Sequence, residues 1–345
     1  MKLVIQIPCL DEEESLPQTL AALPIEVRGV DEIEVIVIDD GSSDATARVA
    51  EAHGVHEVVR FPNHQGLARA FAAGLDCALR RGADLIVNTD ADNQYDPRDI
   101  EALIAPILRG EADMVIGDRD PARLAHFSPT KRVLQRLGSW AVRQLSGTSI
   151  PDAASGFRAL SRSAALKINV LSDFTYTLET IIQAGKKQIA VAHVPVQARP
   201  TARPSRLFSG TSHYIRRSAA TLLRMYALYE PFKFFTLIGS LMVLGASAIG
   251  ARFLWDYFTV GGKGHIQSLI LAGALLVIGF VTWLFGVLAD LIGRNRQLSE
   301  EVLLRMRRLE LSIGADADAE GDRRAAAIGE DAGGARRRRA DGRPR

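Results

Sequence analysis

Two stretches, Phe234–Leu254 and Ile266–Ala289, each run for about 20 residues or more with almost no charge, enough to cross a hydrocarbon core of roughly 30 Å. Lipid offers no hydrogen-bond partner to bare backbone, so such segments have to be helical. A core helix of a soluble domain seldom runs so far without a polar interruption. Trp255, Tyr257 and Phe258 at one end, and Trp283 and Phe285 near the other, suit interfacial belts. The connection at about 256–265 is short and holds little positive charge. Arg216, Arg217, Arg224 and Lys233 precede the pair, and Arg294, Arg296, Arg305, Arg307 and Arg308 follow it. The positive-inside bias then predicts a multi-pass protein of the cytoplasmic (inner) membrane, with its soluble part and both termini cytoplasmic. The pair reads as an anchor; nothing in it suggests a pore.

The anchor divides the chain. Residues 1–230 read as a soluble domain ending in an Arg- and Tyr-rich juxtamembrane helix, 231–292 as the transmembrane pair, 293–311 as a cytoplasmic amphipathic helix and 312–345 as a disordered tail. In the amphipathic helix Leu298, Val302, Leu303, Met306 and Leu309 recur at helical spacing. That pattern suits a membrane surface or pairing between subunits alike, so a homo-oligomer is one of the expectations. The tail is nearly free of large apolar side chains, and its arginine run 336–339 reads as solvated. With 42 basic against 40 acidic residues, the net charge of +2 gives no footprint for nucleic acid. Cys9 and Cys77 lack metal-site spacing and read as buried thiols in a reducing compartment. Residues 3–8 are too short for a secretion signal, so none is expected.

The first 120 residues alternate short β-rich runs with helical patterns. Strands are predicted at Leu3–Pro8, Glu34–Asp39, Glu57–Arg60, Leu85–Thr89 and Met114–Gly117, and helices at about 13–23, 44–53, 66–81 and 97–109. That alternation predicts an α/β fold of parallel βαβ units with helices on both faces. In such a sheet the ligand site lies beyond the carboxyl ends of the strands. The acidic clusters fall there: Asp11–Glu14 after the first strand, Asp39–Asp40 after the second, Asp90–Asp92 after the fourth. Three clusters of one sign on one edge call for a positive partner, and a divalent cation is the natural one. Further on, a basic helix (Lys131–Leu145), a loop at Pro151–Arg158, a helix near 175–185 and a strand at Ile189–Pro195 are expected.

Asp90-Ala91-Asp92-Asn93-Gln94 is the strongest local signal. Two carboxylates one residue apart at a strand end, with an amide oxygen two further on, can offer oxygen ligands to Mg²⁺ or Mn²⁺. Such a metal can bridge the two phosphates of a nucleoside diphosphate leaving group. In Val37-Ile38-Asp39-Asp40-Gly41-Ser42-Ser43-Asp44, the aspartate pair could accept hydrogen bonds from a base or a ribose, or could only help to cap the next helix. The seven histidines form no ligand spacing.

These segments, with Ile7-Pro8-Cys9-Leu10-Asp11-Glu12-Glu13-Glu14 and Asn63-His64-Gln65-Gly66-Leu67-Ala68-Arg69-Ala70, resemble the inverting family 2 glycosyltransferases of GT-A fold, over residues 1–230. Ser155-Gly156-Phe157-Arg158 also fits. Gly117-Asp118-Arg119, Arg132 and Arg136 on the basic helix, Pro204-Ser205-Arg206-Leu207 and the transmembrane pair are similar to the branch containing dolichol-phosphate mannosyltransferases and bacterial polyprenyl-phosphate glycosyltransferases. The resemblance implies a Rossmann-like, mostly parallel sheet plus a C-terminal transmembrane hairpin. It implies transfer of a sugar, with inversion, from a UDP- or GDP-sugar to a polyprenyl phosphate, using Mg²⁺ or Mn²⁺. By the same resemblance Pro8, Glu12 and Asp39 line the nucleoside pocket with support from Asp40. Asp92 and Gln94 hold the metal, while Asp90 faces the donor sugar and diphosphate. Arg119, Arg132 and Arg136 grip the acceptor phosphate, Arg206 closes over the diphosphate, and Glu179 touches the donor sugar or lies on a helix surface. Asp11 stands where the family usually has Asn, Leu10 where an aromatic is common, and Leu67 where Lys is frequent.

Elementary chemistry agrees with that acceptor. A hydroxyl acceptor needs a general base. A phosphate monoester has its second pKa near 6 and is already mostly a dianion at neutral pH. It needs orientation, which guanidinium forks supply. Two rival readings are a processive polysaccharide synthase of the same family and a non-catalytic nucleotide-sugar-binding membrane module. The first usually carries a Gln-x-x-Arg-Trp segment, absent here; retention of Asp90, Asp92 and Arg119 argues against the second.

Overall fold

The computed structural model describes residues 1–119, 129–170, 176–198, 211–261 and 266–340. In chain order the elements are β1 (Lys2–Cys9), α1 (Leu16–Ala22), β2 (Glu32–Asp39), α2 (Thr46–Ala52), β3 (Glu57–Arg60), α3 (Leu67–Arg80), β4 (Leu85–Asn88), α4 (Asp99–Leu108) and β5 (Met114–Asp118). They continue as α5 (Pro129–Ser146), β6 (Arg158–Ser161), α6 (Arg162–Lys167), α7 (Tyr176–Lys186), β7 (Val191–Pro195), α8 (Thr211–Tyr229), α9 (Pro231–Val260) and α10 (Ile266–Ala340).

The seven strands form one sheet in the order β3-β2-β1-β4-β6-β5-β7. Every pairing is parallel except the two made by β6, which runs antiparallel between β4 and β5. The strands read as near-continuous apolar runs because both faces are covered. Leu3, Ile5, Ile7, Val37, Leu85, Val87 and Val115 belong to one core, which takes Leu16 from α1 and Ile100, Leu103 and Ile104 from α4. Their neighbours in sequence, Val4, Ile36, Ile38, Ile86, Met114 and Ile116, belong to the other, with Phe71 and Leu75 of α3 and Ile181 and Ile182 of α7. The period of two that sends successive side chains to opposite faces accounts for this division.

Two elements depart from expectation. The stretch ending at Arg158 was expected as a loop, yet Arg158–Ser161 is the antiparallel strand, and α6 follows it directly. A short run that opens on a charged residue carries no strand signal; its burial is decided by partners distant in sequence. The segment 297–311 is likewise no separate helix. It belongs to α10, a single helix of 75 residues that begins with the second apolar segment. The helical backbone also runs on to Ala340 across the stretch expected to be disordered, where Ala and Arg are the commonest residues.

α9 and α10 are both long and apolar enough to cross a membrane, over Pro231–Thr259 and within Ile266–Gly314. They pack along one another, and Trp283 Nε1 donates to the Thr236 carbonyl at 3.3 Å. Beyond the apolar part, α10 returns to the sheet domain. Leu304 and Leu311 pack against its core, and Arg307 Nη1 donates to Asn169 Oδ1 at 2.8 Å and to the Leu166 and Ile168 carbonyls at 3.4 Å each. Lys187 pairs with Glu300 at 2.9 Å, and Arg80 with Glu310 at 3.4 Å. α10 is thus part of the same body as the sheet.

Candidate active site

The carboxyl ends of β1, β2, β4 and β5 meet at one edge, and each delivers acidic or basic side chains there. β1 ends at Pro8 and Cys9, in register with Ile38 and Asp39 of β2. The chain then turns through Asp11, whose φ of 52° is a left-handed conformation that Asp and Asn tolerate better than other side chains. This accounts for Asp standing where Asn is usual. Its carboxylate accepts from Ser43 N at 2.8 Å and Ser43 Oγ at 3.0 Å, joining the β1 and β2 loops. Glu12 is held at the start of α1: its N–H donates to Thr46 Oγ1 at 2.7 Å, and its carboxylate accepts from Ser15 Oγ.

Asp39 and Asp40 divide their work. Asp40 is buried and accepts from the Gln65 and Gly66 N–H groups at 2.7 and 2.9 Å, with His64 Nδ1 at 2.8 Å. It fixes the loop that leads into α3 and so shapes the pocket wall. Asp39 is fully buried, and one oxygen accepts from Ser42 N at 2.9 Å. Among the described residues its Oδ2 accepts no hydrogen bond and is met by Arg60 Nε in an ion pair at 3.3 Å. A buried carboxylate oxygen left in this way is costly unless a ligand completes it. Beside it lies a cleft of about 310 Å³ lined by Gly41, Ser42, Arg60, Phe61 and Pro62. Gly41 has φ +75°, and a Cβ there would come within 2.5 Å of the Asn63 backbone. Only glycine closes the cleft wall in this way.

Asp90 and Asp92 follow β4. Burial pushes the Asp90 carboxyl up to about 7, and the Asp92 charge adds to this; Arg119 and Arg158 pull the other way. Asp92 accepts from Gln94 N at 3.2 Å, which turns the Gln94 backbone back toward it. Two carboxylates that resist joint ionisation are a donor set a divalent cation would relieve. Among the described residues no three His, Cys, Asp or Glu side chains form a metal cage. The oxygen donors on this turn, the Asp90 and Asp92 carboxylates, are of the kind Mg²⁺ takes together with water and substrate phosphate.

Beneath Asp90 lies a buried polar floor. Gln6 donates to Asn88 Oδ1 at 2.8 Å, and Asn88 Nδ2 donates to Tyr176 OH and the Gly156 carbonyl at 2.9 Å each. The Tyr176 ring stacks on Phe71 with centroids 3.8 Å apart, and the Arg158 guanidinium lies 5.0 Å from its centroid. Arg158 is fully buried; it donates to Thr180 Oγ1 at 2.6 Å and to the Ser155 carbonyl. A Cβ on Gly156 would lie 2.9 Å from both Asp90 oxygens, so glycine is what lets the floor reach the carboxylate.

Arg119 follows β5. Its Nε and Nη2 donate to the two oxygens of the fully buried Asp152, at 2.7 and 3.0 Å. The Asp152 and Asp90 carboxylates favour its charged guanidinium against the cost of burial. Its side chain keeps only 13% of its exposure. This fork is built into the wall beside Asp90.

The structure thus brings Pro8, Glu12, Asp39, Asp40, Asp90, Asp92, Gln94 and Arg119 to one edge. Glu179 is fully buried in α7, where its carboxylate accepts from Gln183 Nε2 at 3.1 Å. It is no helix-surface residue. Arg136 is exposed on α5. The Arg132 side chain and Arg206 lie outside the described residues. Three side chains were missed at the sequence level. Arg60 could have been found from strand register, since it pairs with Asp39. Asp152, in a loop of small residues, and Tyr176, at a helix start, carried no such signal.

A family model described as Glycosyl transferase family 2 matches residues 4–168. An uncharacterized protein of Methanocaldococcus jannaschii is 33% identical over 201 residues, covering 57% of this chain and 81% of that one. The undecaprenyl-phosphate mannosyltransferase of Micrococcus luteus is 33% identical over 166 residues, covering 46% and 66%. Among solved structures, the glucosyl-3-phosphoglycerate synthase of Mycobacterium tuberculosis, in complex with Mn²⁺, uridine diphosphate and glucosyl-3-phosphoglycerate, superposes with a TM-score of 0.52 at 24% identity, over 65% of this chain and 79% of that one. At that identity it establishes the fold.

Proposed function

We propose, from the premise that this chain belongs to glycosyl transferase family 2 and is a glycosyltransferase, that it transfers a sugar from a UDP- or GDP-sugar to a polyprenyl phosphate at the cytoplasmic face of a membrane. The observation that carries this reading is the convergence of Asp39, Asp90–Asp92 and Arg119 on one sheet edge, in a domain whose chain continues into two apolar helices of membrane length. The relative from Micrococcus luteus, an undecaprenyl-phosphate mannosyltransferase, supports the acceptor class.

In this reading the nucleoside occupies the cleft beside Asp39. Asp39 Oδ2, which accepts no hydrogen bond among the described residues, accepts from a base N–H, and Arg60 beside it donates to a base carbonyl. Asp92 and Gln94, with Asp90 next to them, hold Mg²⁺ or Mn²⁺. The metal, when bound, neutralises charge on the departing diphosphate. Arg119, with Arg132 and Arg136 on α5, orients the acceptor phosphate, and Arg206 contributes to the diphosphate. A phosphate oxygen of the lipid forms the bond to the anomeric carbon as the bond from that carbon to the nucleoside diphosphate breaks, inverting the configuration. The acceptor arrives as a dianion, so no side chain has to take a proton from it. The return of α10 to the sheet domain supports the placement of that domain and residues 293–311 on the same side of the membrane.

The test is a transfer assay on membranes containing the protein, with short-chain polyprenyl phosphate, Mg²⁺ or Mn²⁺, and a panel of radiolabelled UDP- and GDP-sugars. A labelled lipid with one donor, lost in Asp92→Ala, is the expected outcome and identifies the sugar. Nucleotide binding without labelled lipid from any donor would overturn the acceptor assignment.

A further inference from the structure

The segment of α10 beyond the apolar span has two apolar faces, and the sheet domain covers only one. Glu300, Leu304, Arg307 and Leu311, at spacings of four, three and four, face that domain. On the other side Leu298, Val302, Met306, Leu309 and Ile313 are 56–68% exposed. Val302, Met306, Leu309 and Ile313 follow the same four-three-four spacing, which is the d-a-d-a seam of a heptad repeat. In that register the sheet domain occupies positions b and f, opposite the seam, and leaves the approach to a and d open.

The membrane is not the occupant. α10 is one continuous helix, so at about 1.5 Å per residue Val302 lies about 15 Å and Ile313 about 32 Å beyond Ile292. Arg294, Arg296, Glu300, Glu301, Arg305, Arg307 and Arg308 occupy the first turns outside the apolar span. The stripe therefore stands clear of the lipid.

We propose that this face pairs with the same face of a second copy, as a short parallel coiled coil in register. Three features of the molecule select that occupant. The hairpin holds all copies in one orientation and at one height, so a parallel, in-register approach is the one the anchor permits. Identical a and d residues then meet their counterparts: Val302 with Val302, Met306 with Met306. The flanking charges are complementary as well. Arg305 falls at g and Glu310 at the following e, the positions that form ion pairs across a parallel pair. Within one chain, among the described residues, Arg305 pairs with Glu301 and Glu310 with Arg80, both between exposed side chains. About two heptads are too short to associate alone in water, but confinement in one membrane raises the effective concentration.

Phase-resolved cross-linking of the full-length protein in membranes tests this without any transferase assay, so its failure is distinguishable from failure of the proposed reaction. In a Cys77→Ser background, Val302→Cys and Leu309→Cys are oxidised and separated on a non-reducing gel. Their sequence neighbours Glu301→Cys and Arg308→Cys, which fall about 100° round the helix, serve as controls. A covalent dimer at 302 and 309 that is lost at 301 and 308 is expected. Cross-linking of equal yield at all four positions, or none at 302 and 309, would overturn the proposal. Quenching of a label at 309 by lipid-depth quenchers would do the same in favour of the membrane. As a second measurement, Val302→Asp with Leu309→Asp is expected to shift the particle mass in nanodiscs from two chains to one; an unchanged mass would also overturn it.

Discussion

Arg119 is assigned to the acceptor phosphate, yet it is also half of a buried ion pair, and the two roles predict different outcomes when both partners are changed. Asp152 is fully buried and Arg119 keeps 13% side-chain exposure, with donor distances of 2.7 and 3.0 Å. Arg119→Met alone leaves a buried carboxylate uncompensated, at a cost of about 3–5 kcal/mol. For a domain of roughly 200 residues, at about 2–4 °C per kcal/mol, the melting temperature should fall by about 6–20 °C. Arg119→Met with Asp152→Asn removes both charges, and replacing a buried pair in full is often close to neutral. The double variant should therefore regain most of the lost melting temperature. Turnover should behave otherwise. If Arg119 holds phosphate in the transition state, both variants lose about 10²–10³-fold in turnover, the scale of removing one preorganised donor. Thermal unfolding of the purified protein and transfer to short-chain polyprenyl phosphate give the two readouts. A double variant that recovers both stability and turnover would reduce Arg119 to a structural residue and refute its place at the acceptor.

Two further outcomes follow from the same edge. The Asp90 carboxyl, raised from near 3.8 to about 7 by burial and Asp92, favours the folded state in its protonated form. Without metal, that contribution is full below about pH 4 and is lost as pH rises to about 7, so melting temperature in EDTA should fall across this window. Mg²⁺ or Mn²⁺ binds the ionised form and should raise it most above pH 7; a flat or rising EDTA profile would contradict the assignment. Asp39→Asn, which removes the charge proposed to meet the base, should weaken UDP or GDP binding by about 10- to 100-fold in calorimetry, the scale of a hydrogen bond to a charged group. Unchanged affinity would remove Asp39 from the nucleoside cleft.

The parallel half of the sheet was legible because its signals are local. β1, β2 and β4 are apolar-rich runs closed by acidic clusters, and the rule that ligands sit beyond carboxyl ends turns those clusters into a site. β6 was illegible for the opposite reason. Its first residue is an arginine whose burial is compensated by Thr180 and the Ser155 carbonyl, and such partners exist only once α7 has packed. The Arg119–Asp152 pair likewise joins residues 33 positions apart. Glu179 was ambiguous because a helix glutamate looks the same in sequence whether it faces solvent or, as here, is buried against Gln183. In α10 the apolar residues were visible, but sequence alone could not assign Leu304 and Leu311 to the chain's own core and Val302 and Leu309 to the outside.

That assignment changes how the soluble domain and its anchor relate. α10 leaves the apolar hairpin and packs Leu304 and Leu311 against the core of the sheet domain. Arg307 binds the backbone around Ile168 and the Asn169 side chain, and Gln183 of α7 bonds Asn169 in turn. α7 begins at Tyr176, whose hydroxyl accepts from Asn88 beneath Asp90. A continuous chain of packed, hydrogen-bonded groups therefore links the anchor to the floor of the site. Removing residues beyond 292 would take away Leu304, Leu311 and Arg307 together with the membrane tether. Loss of activity on such a truncation would thus report on folding as much as on access to lipid. Point changes on the outer face of α10, which leave those contacts intact, separate the two.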